Sequence, residues 1–176
     1  MAMKVKDITF SAAGIALFAA LSMCLRVPVF ENYYLCLGYI VMTVYMWCFR
    51  WYEGALVGFF GVILYCMLGS LGFNGMPGWA VGNIAVGLIF GTAVKRIRKI
   101  RNRPARVLLT VAAAAAASFV GIGLIKSLID SFVVSQPFTL RVFKNFPSFC
   151  SDAFVIAASI PVCLLAEKPA KRMRYG

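Results

Sequence analysis

Six apolar stretches separated by short polar links constrain this chain more than any other feature. A helix needs about 17 to 25 mostly apolar residues to cross a bilayer, and the second and fourth stretches lie near the lower limit. Hydrophobic residues make up 62% of the 176 residues, more than a soluble core of this size could bury. We therefore predict an all-α integral membrane protein, a single domain with six transmembrane helices. The predicted spans are 8–25, 33–49, 54–71, 79–94, 107–129 and 149–166.

The distribution of basic residues predicts the orientation of these spans. Of the 18 Lys and Arg residues, seven fall in the run 95–106 and four follow the last apolar stretch. With the N-terminus inside, fourteen lie on the inner side and four on the outer side. Because cytoplasmic loops carry an excess of Lys and Arg, this bias predicts that both termini are cytoplasmic (N-in, C-in). A net charge of +12 also suits nucleic-acid binding, but the interleaved aromatic and basic residues of a strand-binding surface are missing.

The first apolar stretch could instead be a cleaved signal peptide. Such a peptide needs a site with small residues at alternate positions, and none follows the stretch before Arg26. We therefore interpret it as a true membrane span.

The sequence offers no catalytic motif. It contains no histidine, the commonest general base and metal ligand. It lacks the G-x-x-x-x-G-K-[ST] phosphate loop, H-E-x-x-H and G-x-S-x-G, and its six cysteines form no C-x-x-C pair. We expect neither an enzyme nor a bound metal or cofactor.

Small residues line one face of the first span. Ala12, Ala16 and Ala20 recur every fourth residue and so share one side of the helix. Small residues let helix backbones approach closely in a membrane. The face can serve packing within this chain or docking of a partner helix, and the residues alone leave both open.

Polar residues that could hold a ligand cluster on the predicted outer side. Each aromatic residue among them could be an interfacial belt residue, but their coincidence with amides and charges favours a pocket that opens outward. The candidate ligand-binding residues are Asn32, Tyr34, Asn74, Trp79, Asn83, Lys126, Arg141 and Asp152.

Three of these candidates lie within or at the edge of apolar spans, where a charged or amide group is costly and usually faces a cavity. They are Asn83, Lys126 and Asp152. Lys126 and Asp152 belong to consecutive antiparallel spans at comparable depth, so they could form an ion pair. Lys126 could equally extend its ammonium group to the interface.

Three stretches resemble a known family. Residues 16–22 (ALFAALS) are similar to its alanine motif in the first helix, residues 37–58 are similar to its second and third helices, and residues 77–91 are the third similar stretch. The chain resembles the substrate-binding S components of energy-coupling factor (ECF) transporters. The resemblance covers most of the first 95 residues and, in layout, the whole chain. It departs at residues 50–53 (RWYE), where many relatives have a Gly-Pro turn.

The resemblance implies a role in vitamin uptake across a bacterial plasma membrane. An S component binds a vitamin or precursor and docks on a membrane coupling subunit held by two cytoplasmic ATPases. The alanine face (Ala12, Ala16, Ala20) would then contact the coupling subunit, which favours docking over internal packing. The resemblance does not say whether that coupling module is dedicated or shared.

The residues leave the identity of the vitamin open. Cations on the outer side favour an anion such as pantothenate, while aromatic and amide residues suit a flat pyridoxine or pyrimidine. The alternatives to an S component are an autonomous secondary transporter or channel and a ligand-free assembly subunit. The first needs a polar path through the inner halves of the spans, and those halves are almost entirely apolar.

Overall fold

The computed structural model describes residues 5–24, 27–30, 33–69 and 76–175, with the backbone alone described at 6, 27–30, 33–34, 51, 168 and 171–175. The described residues are predominantly helical. They form eight α-helices: α1 (Val5–Cys24), α2 (Gly38–Cys48), α3 (Trp51–Leu68), α4 (Met76–Ile97), α5 (Arg103–Ser118), α6 (Ser127–Val133), α7 (Phe138–Ala158) and α8 (Ile160–Tyr175), all within the described ranges. Two strands, β1 (Val27–Phe30) and β2 (Tyr33–Leu35), form an antiparallel hairpin, and a π-helical stretch, Phe119–Lys126, joins α5 to α6.

Helical stretches that are long and apolar enough to cross a membrane support the predicted membrane fold. Among the described residues there are four, and two apolar helices, Gly38–Cys48 and Tyr52–Leu68, are shorter. The four long stretches are Asp7–Cys24, Met76–Ile97, Arg103–Val133 and Phe138–Glu167. The number of crossings and their sidedness stay predictions. We call the end of the bundle that carries residues 95–106 the basic end, and the opposite end the far end.

The second predicted span was wrong at its start. Residues 33–35, placed in a helix by their apolar character, pair with β1, and α2 begins only at Gly38. Both strands are rich in Val, Phe and Tyr, which favour extended backbone, and two residues connect them. The remaining α2 has 11 residues and is about 16 Å long, roughly half the thickness of a bilayer core.

The predicted polar link at 130–148 was also wrong. Helix α6 continues through Val133, and α7 begins at Phe138, so only a short turn separates them. The charges of Arg141 and Lys144 suggested a loop, but they lie on the polar side of an amphipathic helix. Pro147 lies inside α7, where it removes one backbone hydrogen bond without ending the helix.

Helix α2 occupies the middle of the bundle. It packs against α1, α3, α4, α7 and α8, and nine of its 11 residues are buried. A helix that is apolar all round is expected in such a position. Two of the helices around α2, namely α1 and α3, approach each other closely at a glycine. A Cβ added at Gly61 of α3 would lie 2.6 Å from the Phe18 ring of α1.

The two sides of α1 differ in what they contact. Gly14, Phe18 and Ser22 are buried, and the Ser22 hydroxyl donates to the Phe18 carbonyl at 2.7 Å. The alanine face is exposed at all three positions. The small residues that pack within the chain are therefore different from those of the alanine face.

Candidate ligand-binding site

A hydrogen-bonded chain of three side chains joins α2 to α4 in the far half of the bundle. The Trp79 indole Nε1 donates to the Tyr39 hydroxyl at 2.8 Å, and that hydroxyl donates to Asn83 Oδ1 at 2.7 Å. Asn83 is anchored in turn, because its Nδ2 donates to the Gly58 carbonyl of α3 at 3.2 Å. We call Tyr39, Trp79 and Asn83 the aromatic–amide cluster.

A second polar group joins the end of the π-helical stretch to α6 and α7. Lys126 Nζ donates to Asn145 Oδ1 at 2.7 Å and lies 3.7 Å from Asp130 Oδ2. Asn145 Nδ2 donates to Ser127 Oγ at 3.0 Å and to Asp130 Oδ2 at 3.2 Å. The Lys126 side chain is 12% exposed, so it does not extend to solvent. We call Lys126, Asp130 and Asn145 the ammonium cluster.

Asp152 of α7 lies between the two clusters. It is 2% exposed, and its carboxyl group faces the Tyr39 hydroxyl and interacts electrostatically with Lys126. The Tyr39 hydroxyl has one proton, so it cannot donate to Asn83 and Asp152 at once. Lys126 has its ion pair with Asp130, which was not expected, and its interaction with Asp152 is longer-range.

Several buried polar atoms near these clusters have no hydrogen-bond partner among the described residues. They are Asp130 Oδ1, Arg141 Nε and Asp152 Oδ2. Arg141 is half-buried and interacts electrostatically with Lys126. Buried polar groups are normally satisfied, so atoms left unpaired beside a polar cluster are candidates to bind a ligand.

Backbone contacts place the two clusters side by side. A Cβ added at Gly121 would lie 2.5 Å from the Gly82 carbonyl oxygen, and one added at Gly82 would lie 2.6 Å from the Gly121 carbonyl oxygen. Helix α4 and the π-helical stretch therefore touch backbone to backbone. A side chain at Gly78 would overlap the Asp130 carboxylate, so that carboxylate packs against α4 at the residue before Trp79. π-helical turns often occur at functional sites.

The structure brings together five of the eight residues that the sequence singled out: Trp79, Asn83, Lys126, Arg141 and Asp152. Asn32 and Asn74 lie outside the described residues, and for Tyr34 only the backbone, in β2, is described. Tyr39, Asp130 and Asn145 also belong to this candidate site, and their sequence context alone did not single them out. The sequence signal that could have identified Tyr39 is a hydroxyl-bearing side chain within a short apolar span. Asp130 and Asn145 were assigned to a loop that is largely helical.

Comparison with protein families matches residues 2–167 to the ECF-type riboflavin transporter, S component. The chain belongs to this S-component family. Among solved structures, the chain is similar to the crystal structure at 2.1 Å of the S-component for biotin from an ECF-type ABC transporter. The TM-score is 0.61 at 14% identity, and the match covers 99% of this chain and 96% of that chain. No functionally curated relative matches.

Membership confirms the resemblance noted in the sequence. At 14% identity the structural likeness to the biotin S component shows the fold alone. S components are membrane-embedded, vitamin-binding subunits of transporters rather than enzymes, and they associate with coupling and ATPase subunits. The aromatic–amide and ammonium clusters therefore lie within the fold of a vitamin-binding subunit.

Proposed function

We propose that this S component binds a small water-soluble vitamin between the aromatic–amide cluster and the ammonium cluster and serves its uptake. The observation that carries the proposal is the buried polar network around Tyr39 and Asp152. Polar groups among membrane helices are costly and usually face a cavity, and Asp130 Oδ1, Arg141 Nε and Asp152 Oδ2 have no partner among the described residues, which supports a ligand at this network. The proposed ligand-binding residues also include Asn83, Arg141 and Asn145. The roles of three further residues stay predictions: Asn32, Tyr34 and Asn74.

We propose riboflavin as the vitamin. The family description supports it, and so does the chemistry of the described residues. The flat flavin ring suits a site that sets aromatic Trp79 and Tyr39 beside an amide, and its hydroxylated side chain suits paired hydrogen-bonding groups.

The charge balance of the site supports a neutral ligand. Lys126 faces two carboxylates, Asp130 and Asp152, and Arg141 lies close enough to interact electrostatically with Lys126, so the group holds two cations and two carboxylates. In the sequence, the cations favoured an anionic ligand such as pantothenate. In the structure, carboxylates in the same group balance their charge.

Transport requires partners, and we propose that the alanine face docks on the coupling subunit of an ECF complex with two ATPases. Its exposure supports this role, because internal packing uses the other side of α1. We propose that the protein is one domain of residues 1–176 in a bacterial plasma membrane, crossing it six times with the basic end in the cytoplasm.

Ligand titration of the purified full chain in detergent tests this function. We expect riboflavin to bind with quenching of flavin fluorescence, and biotin, thiamine, pantothenate and pyridoxine to bind weakly or not at all. Lys126→Met should abolish binding, because it removes the ammonium group that holds Asn145 and faces Asp130. Lys144→Met is the matched control on exposed α7 surface.

Distinct outcomes contradict distinct parts of the proposal. A flat riboflavin titration with saturation by another vitamin rejects the substrate. Equal loss of binding in both lysine variants rejects the site. Uptake into vesicles that contain this chain alone rejects the role as a subunit.

A further inference from the structure

A cavity of ≈ 690 Å³ lies at the basic end, away from the proposed vitamin site. It is formed where α2 ends, α3 begins and α4 ends, and α5 and α8 contribute to its wall. Its charged lining consists of Arg50, Lys95, Arg98, Lys99, Arg106 and Glu167. Five cations and one carboxylate make it strongly electropositive.

Two of the five cations are already engaged within the chain. Arg98 pairs with Glu167 and donates to the Trp47 carbonyl at 2.7 Å, while Arg50 donates to the Tyr52 hydroxyl at 2.6 Å. Lys95, Lys99 and Arg106 line the same cavity, and no acidic group of the described residues pairs with them. These three remain available for an external anion.

An apolar groove begins beside this cavity. It has a volume of ≈ 450 Å³ and is lined by side chains that include Tyr52, Phe59, Phe60, Ile84 and Leu88. Tyr52 lines the cavity as well, so the two spaces adjoin. From Tyr52 to Phe60 the groove follows α3 for about 12 Å. That length approaches the thickness of one leaflet's hydrocarbon, about 15 Å.

Between the groove and the basic end, the same side of α4 carries cationic residues. One turn beyond Leu88 lies Thr92, and a further hollow there is lined by Thr92, Lys95, Arg96 and Lys99. Apolar lining therefore gives way to positive lining along one helix, in the order that a phospholipid presents its chain and its phosphate.

We propose that this surface binds one anionic phospholipid from the leaflet at the basic end. Its phosphate lies among Lys95, Lys99 and Arg106, and one acyl chain lies in the groove between α3 and α4. A soluble phosphate compound would use the cavity but gain nothing from the groove, so the adjoining apolar space favours the lipid.

Native mass spectrometry of the full chain, delipidated in detergent and titrated with phosphatidylglycerol or phosphatidylcholine, tests the site. We expect one phosphatidylglycerol per chain and weaker binding of phosphatidylcholine. Lys95→Gln combined with Lys99→Gln should weaken phosphatidylglycerol binding roughly thirtyfold, because each basic residue near a headgroup attracts it. Arg101→Gln with Arg103→Gln removes the same charge from exposed positions outside the cavity and should change binding little.

A second pair of variants tests the groove. Leu88→Trp should fill it and weaken lipid binding, whereas Leu108→Trp, on an exposed part of α5, should not. Glycerol phosphate, which has a phosphate but no acyl chains, should fail to displace the lipid. Helicity and monodispersity of every variant show that it is folded.

Three results would overturn the proposal. Equal weakening in the two charge variants would mean diffuse surface attraction. Equal binding of the two lipids would mean that the basic cavity does not select an anion. Tight binding of glycerol phosphate alone would mean a soluble phosphate ligand rather than a lipid.

Discussion

The Tyr39 hydroxyl is the one group that touches every other part of the aromatic–amide cluster. It accepts from Trp79, donates to Asn83 and faces Asp152. The sequence identified Asn83, Lys126 and Asp152 because amides and charges are conspicuous in apolar spans. Tyr39 escaped notice because an aromatic residue in a span usually signals core packing or an interfacial belt, and its hydroxyl is informative only once its partners are known.

Removing this hydroxyl tests its role. Tyr39→Phe should lower the free energy of unfolding by about 1–3 kcal/mol, because it leaves Trp79 Nε1 and Asn83 Oδ1 without their partner. It should also weaken vitamin binding. Unfolding in detergent and flavin titration measure the two effects.

Tyr45→Phe provides the matched control on the same helix. Its hydroxyl donates to the Phe10 carbonyl at 2.6 Å, outside the proposed site. We expect a smaller loss of stability and unchanged vitamin affinity. Equal effects of the two substitutions on affinity would refute a special role for Tyr39.

At the scale of elements, apolar runs located the helices, but the polar sequence between them was misread. Polar residues near the start of α7 belong to an amphipathic helix, and aromatic residues before α2 belong to a hairpin. Hydropathy alone cannot separate these cases, because a buried strand and a buried helix are both apolar. The π-helical stretch was equally invisible, since its wider turn accompanies the close contact of Gly121 with Gly82, residues distant in sequence.

Gly121→Ala tests that contact. The added methyl group would meet the Gly82 carbonyl oxygen at 2.5 Å, and a backbone atom inside a helix cannot easily move away. We expect a loss of about 1–3 kcal/mol in the free energy of unfolding. Vitamin affinity should fall as well, because α4 carries Trp79 and the π-helical stretch ends at Lys126.

Gly123→Ala is the control in the same stretch. Its methyl group would lie 3.3 Å from the Phe119 ring, a side chain that can shift. We expect a change of less than about 1 kcal/mol, partly offset by the better helix propensity of alanine. If both variants behave alike, the backbone contact has no special importance.

At the scale of the whole molecule, the apolar layout and the first helix were enough to indicate the S-component family. Membership depends on the order of spans and small-residue motifs, which are written locally in the sequence. The ligand site cannot be recognised from any one stretch of sequence, because it combines residues of α2, α4, the π-helical stretch, α6 and α7. Its members could be listed by polarity, but their pairing depends on helix packing that polarity does not encode.

Docking is the prediction that belongs to this scale. Ala16→Leu should reduce transport to background when the chain is combined with coupling and ATPase subunits, because the larger side chain separates the two proteins. Vitamin affinity should change by no more than about twofold, as expected for an exposed position. Uptake into vesicles and titration of the isolated chain measure the two quantities.

Ala116→Leu, on an exposed face of α5, is the control and should leave uptake intact. Loss of both transport and binding in Ala16→Leu would assign the alanine face to folding. Unchanged transport would place the docking surface elsewhere.

The short, enclosed α2 has a consequence for how the protein responds to bilayer thickness. A thicker or thinner membrane acts on helices whose apolar sides meet lipid, and they respond by tilting. Helix α2 is almost entirely covered by its neighbours, so it has little contact with lipid. Hydrophobic mismatch should therefore tilt α1 and its alanine face while the surroundings of Tyr39 keep their shape.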